Sequence, residues 1–230
     1  MSSIFEPVIM ASFLRRGVCI RILLFFATLQ AAAALGSEGI PGYPERIDAY
    51  DSREVAMLPA YCKHTQVFRD RVAGGDNKAQ IERWRATMGP TFQAMHHYCW
   101  ALMSINRALY LTINKQLRTF YLNSAIRDIN YVVERAPSTF VLLPEILTKK
   151  GDALIRLGQG PSGVLELERA IELKPDYWPP YASLSDYYRD IGNRSKAREV
   201  TEKGLASIPH SAPLQTRLAK LNNEEKATAR

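Results

Sequence analysis

Two short stretches bring together residues capable of metal or redox chemistry: Cys62-Lys63-His64 and His96-His97-Tyr98-Cys99. On a helix His96 and Cys99, three apart, share a face. Cys62, His64, His96 and Cys99 would then offer the two sulfurs and two nitrogens of a tetrahedral zinc site. The spacing is not that of a standard finger. In an oxidising compartment the same two cysteines would instead form a disulfide, clipping the Cys62 segment to the helix that carries Cys99. Cys99 also lies on an apolar stripe, where a buried free thiol is an ordinary core residue. A Cys-x-x-Cys-His haem motif is absent, as are a Ser-His-Asp type motif, a glycine-rich phosphate loop and carboxylates paired at diagnostic spacing. No cofactor is expected, and catalysis has no sequence signature.

Whether those thiols meet an oxidant depends on where the chain goes. Of 230 residues, 47% are hydrophobic and 23% charged, with 13 Gly and 13 Pro, which are globular values. Residues 1–36 resemble a signal peptide: Arg15, Arg16 and Arg21 form a basic region, Ile22–Leu29 is apolar, and Ala31–Gly36 supplies small residues for cleavage. The apolar run is shorter than the ~20 residues that span a bilayer. Export to the periplasm or beyond after cleavage is expected, with anchoring to the inner membrane by an uncleaved segment as the alternative. Loss of residues 1–36 removes Arg15, Arg16, Arg21 and Glu6, reducing the formal charge from +7 to +5. The cations that remain alternate with acids, as in Arg194-Lys196-Arg198-Glu199-Glu202-Lys203. A nucleic-acid partner would call for clustered Lys and Arg and is not expected.

The elements that must position the cysteines and histidines are helical. Residues 37–90 begin as an extended lead-in with Pro41, Pro44 and Pro59 and a short helix near Ser52–Met57. Helices are expected over Lys63–Val72 and Lys78–Met88, separated by Ala73-Gly74-Gly75-Asp76. Thr91 is placed to cap a helix to about Leu111, in which Met95, Tyr98, Cys99, Leu102, Ile105 and Leu109 recur at helical spacing. A helix over Lys115–Arg135 follows and stops at Ala136-Pro137. Beyond Pro209, Ser211 is placed to cap a last helix with Leu214, Leu218 and Leu221 on its apolar side and Arg217, Lys220 and Glu224 facing water. Glu225–Arg230 is expected to fray.

Between Lys149 and Pro209 one pattern occurs twice. Pro175 and Pro209 are 34 residues apart. Each unit has an apolar helical pattern running to Gly158 or Gly192, then a second running to the proline. The first unit carries Leu147, Gly151, Leu154, Gly163, Leu167, Ala170 and Pro175. The second carries Tyr181, Leu184, Ser185, Tyr188, Ala197, Thr201, Gly204 and Pro209. Period and positions together resemble the tetratricopeptide repeat. Lys150, Gly163 and Thr201 depart from the family, which has a large apolar residue, Ala and an aromatic residue there. Residues 91–137 resemble a divergent first repeat, because Ala125 and Pro137 keep the interval of Ala197 and Pro209. The expected organisation is an all-α, short helix-turn-helix solenoid of about three repeats: 91–137, 144–177 and 178–211, then a capping helix and tail over 212–230.

The resemblance implies a non-catalytic scaffold that binds a protein segment on the inner face of the first helices. That face carries Glu145, Thr148, Asp152, Ile155 and Arg156 in one unit, and Pro179, Ala182, Asp186, Arg189 and Asp190 in the next. The Lys and Asn positions that some relatives use to grip an acidic C-terminus are not supplied by Thr148, Ala182, Asp152 and Asp186. Among Tyr177, Trp178, Tyr181, Tyr187 and Tyr188, Tyr181 and Tyr188 are core positions and Trp178 is the aromatic available for contact. The partner-binding residues are therefore expected among Thr148, Asp152, Arg156, Trp178, Asp186 and Arg189. The partner is expected to be a protein in an envelope or membrane-associated assembly, with no small-molecule substrate. The competing reading is a metalloprotein or hydrolase whose site is Cys62, His64, His96 and Cys99.

Overall fold

Between Leu143 and Ser207 proline and glycine punctuate the chain into four helices of 13 or 14 residues. In the computed structural model, which describes residues 50–228, Pro144, Pro161 and Pro179 each sit in the first turn of a helix. A missing backbone N–H costs nothing there. Gly158 and Gly192, at φ of 79° and 81°, form the left-handed turns between paired helices. The residues read as a signal peptide, and the start of the lead-in, lie outside the described region.

In chain order the helices are α1 (Ser52–Ala56), α2 (Lys78–Met88), α3 (Met95–Asn106), α4 (Lys115–Val133), α5 (Leu143–Arg156), α6 (Gly160–Leu173), α7 (Trp178–Asp190), α8 (Arg194–Ser207) and α9 (Ala212–Thr228). No strand occurs among the described residues, so the fold is all-α. α3 packs on α4, α5 on α6, and α7 on α8; successive pairs contact one another, and α9 lies against α7 and α8. One core runs from Tyr61 through Tyr98, Ile129 and Leu147 to Ala170. A second joins Leu167, Tyr181, Leu184, Val200 and Leu214.

Asn77, Asn114 and Asn193 cap α2, α4 and α8, each accepting from the backbone N–H three residues on. Three segments differ from the sequence expectation. The Lys63–Val72 stretch is not a helix: a 3₁₀ turn spans Cys62–His64, the Thr65 hydroxyl donates to Cys62 O at 2.7 Å, and Val67 has φ 74°. Local side-chain bonding and a left-handed residue both end helical propagation. The helix expected from Thr91 starts as a 3₁₀ segment, Gly89–Ala94, and ends as a π segment, Arg107–Leu111. Thr91 is buried inside it and caps nothing. Ser211 is likewise buried with its Oγ unpartnered, and the first turn of α9 is joined through Ser211 O instead. α9 continues as helix to Thr228, so the tail from Glu225 is ordered as far as it is described.

The three departures from the repeat pattern each have a local partner. A Cβ at Gly163 would stand 2.7 Å from Gly151 O and 2.6 Å from Ile155 Cγ1, and one at Gly151 would meet Gly163 O at 2.9 Å. α5 and α6 therefore touch backbone to backbone. At the equivalent place in the next pair, buried Thr201 donates from Oγ1 to Ser185 Oγ at 2.7 Å and bonds Ala197 O. Lys150 places its ammonium 2.6 Å from Glu166 Oε1, pairing α5 with α6 through charge.

Gly163→Ala therefore runs against helix propensity. Alanine favours a helix over glycine by about 1 kcal/mol, but overpacking typically costs about 1–3 kcal/mol, and backbone cannot yield cheaply. Chemical denaturation is expected to show a net loss of stability; a gain would mean that the two backbones separate freely.

Candidate partner-binding face

α3, α5, α7 and α9 are linked side chain to side chain along the surface they share. Tyr98, wholly buried, donates its hydroxyl to Glu145 Oε1 at 2.9 Å, joining α3 to α5. Asp152 accepts from Ser183, joining α5 to α7. Asp186 receives Arg217 in two bonds, Nε at 3.0 Å and a terminal nitrogen at 2.6 Å on Oδ2, joining α7 to α9. Arg189 adds a bond to Asp186 Oδ1 at 3.0 Å and another to Asp190 at 2.8 Å.

Burial shapes the titration of this row. It raises the Asp152 carboxyl above its ordinary range, opposed by Ser183, Lys149 and Arg156. The Tyr98 hydroxyl is pushed well up by burial and by Glu145. Tyr177, half-buried near the same carboxylate, is pushed up to about 12, mainly by desolvation. Tyr61 is raised by burial, and its hydroxyl has no hydrogen-bond partner.

The six residues expected to bind a partner thus separate. Thr148 is buried and donates to Pro144 O at 2.7 Å, one turn back in α5; burial takes it off the face. Asp152, Asp186 and Arg189 lie on the face but are engaged in bonds within the chain. Arg156 is exposed, and Trp178 is 39% exposed. Arg217 was expected to face water; α9 instead leans on α7 and brings it to Asp186. A long side chain can reach across to a neighbouring helix, and helical spacing alone does not show this. Beside Arg156 lies a cleft of about 200 Å³ lined by Ile105, Leu109, Tyr110, Lys149 and Asp152 among others. That is below the ~300–1,000 Å³ of small-ligand sites.

The cysteine–histidine constellation resolves differently. Cys62 and Cys99 are joined in a disulfide, their Cα atoms 5.6 Å apart. Neither sulfur is then a thiolate ligand, and among the described residues no group of three or more His, Cys, Asp and Glu is arranged to hold a metal. His64 donates from Nδ1 to Gly75 O at 2.8 Å and is buried. His96 donates from Nδ1 to Gln93 O at 2.9 Å. His97 instead meets Asp128 Oδ1 at 2.7 Å, stacks on Tyr131 at 3.8 Å and stands edge-on to Trp100. Asp128 orients the imidazole as a general base would require, but Cys99, the nucleophile type on that helix, is consumed by the disulfide. Burial raises the Asp128 carboxyl despite His97. It lowers the pKa of His96 below 6.5, with His97 adding to the effect.

No protein-family model matches this chain, and no curated protein matches it. The reading of the face rests on its geometry.

Two measurements follow. Reductant is expected to cost about 2–4 kcal/mol of stability through loss of the Cys62–Cys99 link, whereas a chelator should leave the melting temperature unchanged; the reverse pattern would restore the metal reading. Folding also lowers the His96 pKa, so protonation favours the open chain. Its contribution is complete above the ordinary pKa of 6.5 and is lost as pH falls below that value. His96→Gln should therefore flatten the fall in melting temperature between about pH 7 and 5. Parallel profiles would place His96 in open water.

Proposed function

We propose that this chain is a non-catalytic scaffold of tetratricopeptide type that acts in the cell envelope. It holds a segment of a partner protein against the face of α3, α5 and α7. The observation that carries this reading is the internal equivalence of two helix pairs. The turn glycines 158 and 192 have matching conformations 34 positions apart. The place where Leu167 closes on Gly151 recurs 34 positions on, where Thr201 bonds Ser185. Paired helices of this kind bury their own apolar sides and present a continuous surface made from one helix of each pair.

Export is supported by the disulfide, which persists in oxidising compartments and is rare in the cytosol. No helix among the described residues is long and apolar enough to cross a membrane. A folded unit carried outside the cytoplasm, free or held by its N-terminal segment, fits both observations.

On the face, Trp178 and Arg156 are the contact residues of choice. Tryptophan and arginine are each among the residue types enriched at interface hot spots, and neither side chain takes part in the row of links between helices. A photo-reactive residue at Trp178 or Arg156, expressed in the exporting cell, should cross-link to one discrete polypeptide. The same probe at Leu165, on the second helix of its pair, should not. Trp178→Ala is expected to weaken the isolated complex by about tenfold or more, measured by calorimetry. Equal cross-linking from all three positions, or an unchanged affinity, would remove the face from consideration.

A further inference from the structure

The turn between α3 and α4 exposes large apolar side chains where a folded protein in water gains nothing by doing so. Tyr110 is 68% exposed, Leu111 58% and Ile113 98%, all within four residues. The turn is built, not frayed. Arg118 donates to Ala108 O at 3.2 Å and to Thr112 O at 3.3 Å, and the Asn114 N–H donates to Thr112 Oγ1 at 3.2 Å. Its backbone is thus held from within while its side chains point outward.

Cations predominate in the sequence around it. From Arg83 to Arg127 the sequence contains no Asp or Glu. Lys115 is exposed beside Ile113, and Arg118 shares a cavity with Arg156 at the end of α5. Of the acids nearby, Glu54 is paired by Arg107, Nε to Oε1 at 2.5 Å, and Asp152 lines the cleft beside Tyr110 with its carboxyl raised by burial.

We propose that this turn is a membrane-surface insertion point, in which Tyr110, Leu111 and Ile113 enter the interface of an anionic bilayer and Lys115 and Arg118 contact its headgroups. An interfacial element needs apolar and aromatic side chains to bury and cations to face anionic lipid, and both are present between Tyr110 and Arg118. A second copy of the chain fits less well, since two such turns would oppose like charges. The insertion does not depend on the scaffold reading; it would set the folded unit on a membrane whatever its partner.

The test places an environment-sensitive fluorophore at Ile113→Cys in the full-length chain, with Cys19→Ser and the native disulfide intact. The same dye at Ala206→Cys, at the far end of α8, reports attachment by any other part of the chain. With vesicles of phosphatidylcholine and phosphatidylglycerol, the dye at 113 should shift to the blue and be quenched by acyl-chain quenchers, while that at 206 should stay in water. Lys115→Glu should weaken the response about fivefold or more, and vesicles of phosphatidylcholine alone should give much less of it. The inference is overturned if the dye at 113 remains in water on anionic vesicles, or if both dyes respond alike. It is equally overturned if lipid charge makes no difference, or if the shift follows protein concentration without vesicles, which would mark self-association.

Discussion

The fold depends on how closely the two helices of each pair can approach. A helix whose apolar stripe covers only one side gains little from a partner held at arm's length, because dispersion and water exclusion both decay within an ångström of contact. Here that distance is set by very small groups: two glycines whose backbones touch between α5 and α6, and a Ser–Thr hydroxyl bond between α7 and α8. Either solution leaves room for Leu167, Leu184 and Tyr181 to be almost wholly buried. The second adds a satisfied polar contact, which a buried hydroxyl requires. With the pairs closed, their remaining apolar sides have only each other to cover them, and stacking follows.

Stacking is then registered by polar groups. Tyr98 to Glu145, Ser183 to Asp152 and Arg217 to Asp186 tie each first helix to the next. Such bonds contribute modestly to stability but are costly to leave half-made, so they select one register over its neighbours. This has a functional corollary. A surface whose acids are already paired presents little unpaired charge, so any partner on the proposed face would be told apart by shape, by the Trp178 ring and by Arg156.

Much of this architecture was legible in the sequence. α2 follows the expected Lys78–Met88, and α4 comes within two residues of its expected end, because both have clear periodicity and breakers at their ends. Cys62 and Cys99 were legible as a pair, and the expected oxidising compartment favoured the bridge that the structure holds over a metal. The misses share a cause. Thr91 and Ser211 have the right type for caps, yet tertiary packing buries them, and burial is not written in local sequence. Thr148 fell at an inward position of the repeat but turns its hydroxyl back onto its own helix. Arg217 and Asp186 are 31 residues apart, and their pairing depends on the angle of α9, which a helical wheel does not contain. The 3₁₀ and π segments flanking α3 left no trace in the helical spacing from Met95 to Leu109.

The two ends of the helical array are closed by different chemistry. At the N-terminal end a covalent sulfur bridge fastens the irregular Cys62 segment onto α3. At the other end α9 is held over Leu214 and Leu221 and by ion pairs, Arg217 to Asp186 and Arg198 to Glu225 at 2.7 Å. In an array where each unit leans only on its neighbours, order is lost from whichever end is looser. Redox potential therefore governs one terminus and ionic strength the other. In an oxidising, salty medium the bridge is kept while the ion pairs of α9 are screened, so that helix is left to hold on mainly by its apolar contacts, Leu214 and Leu221.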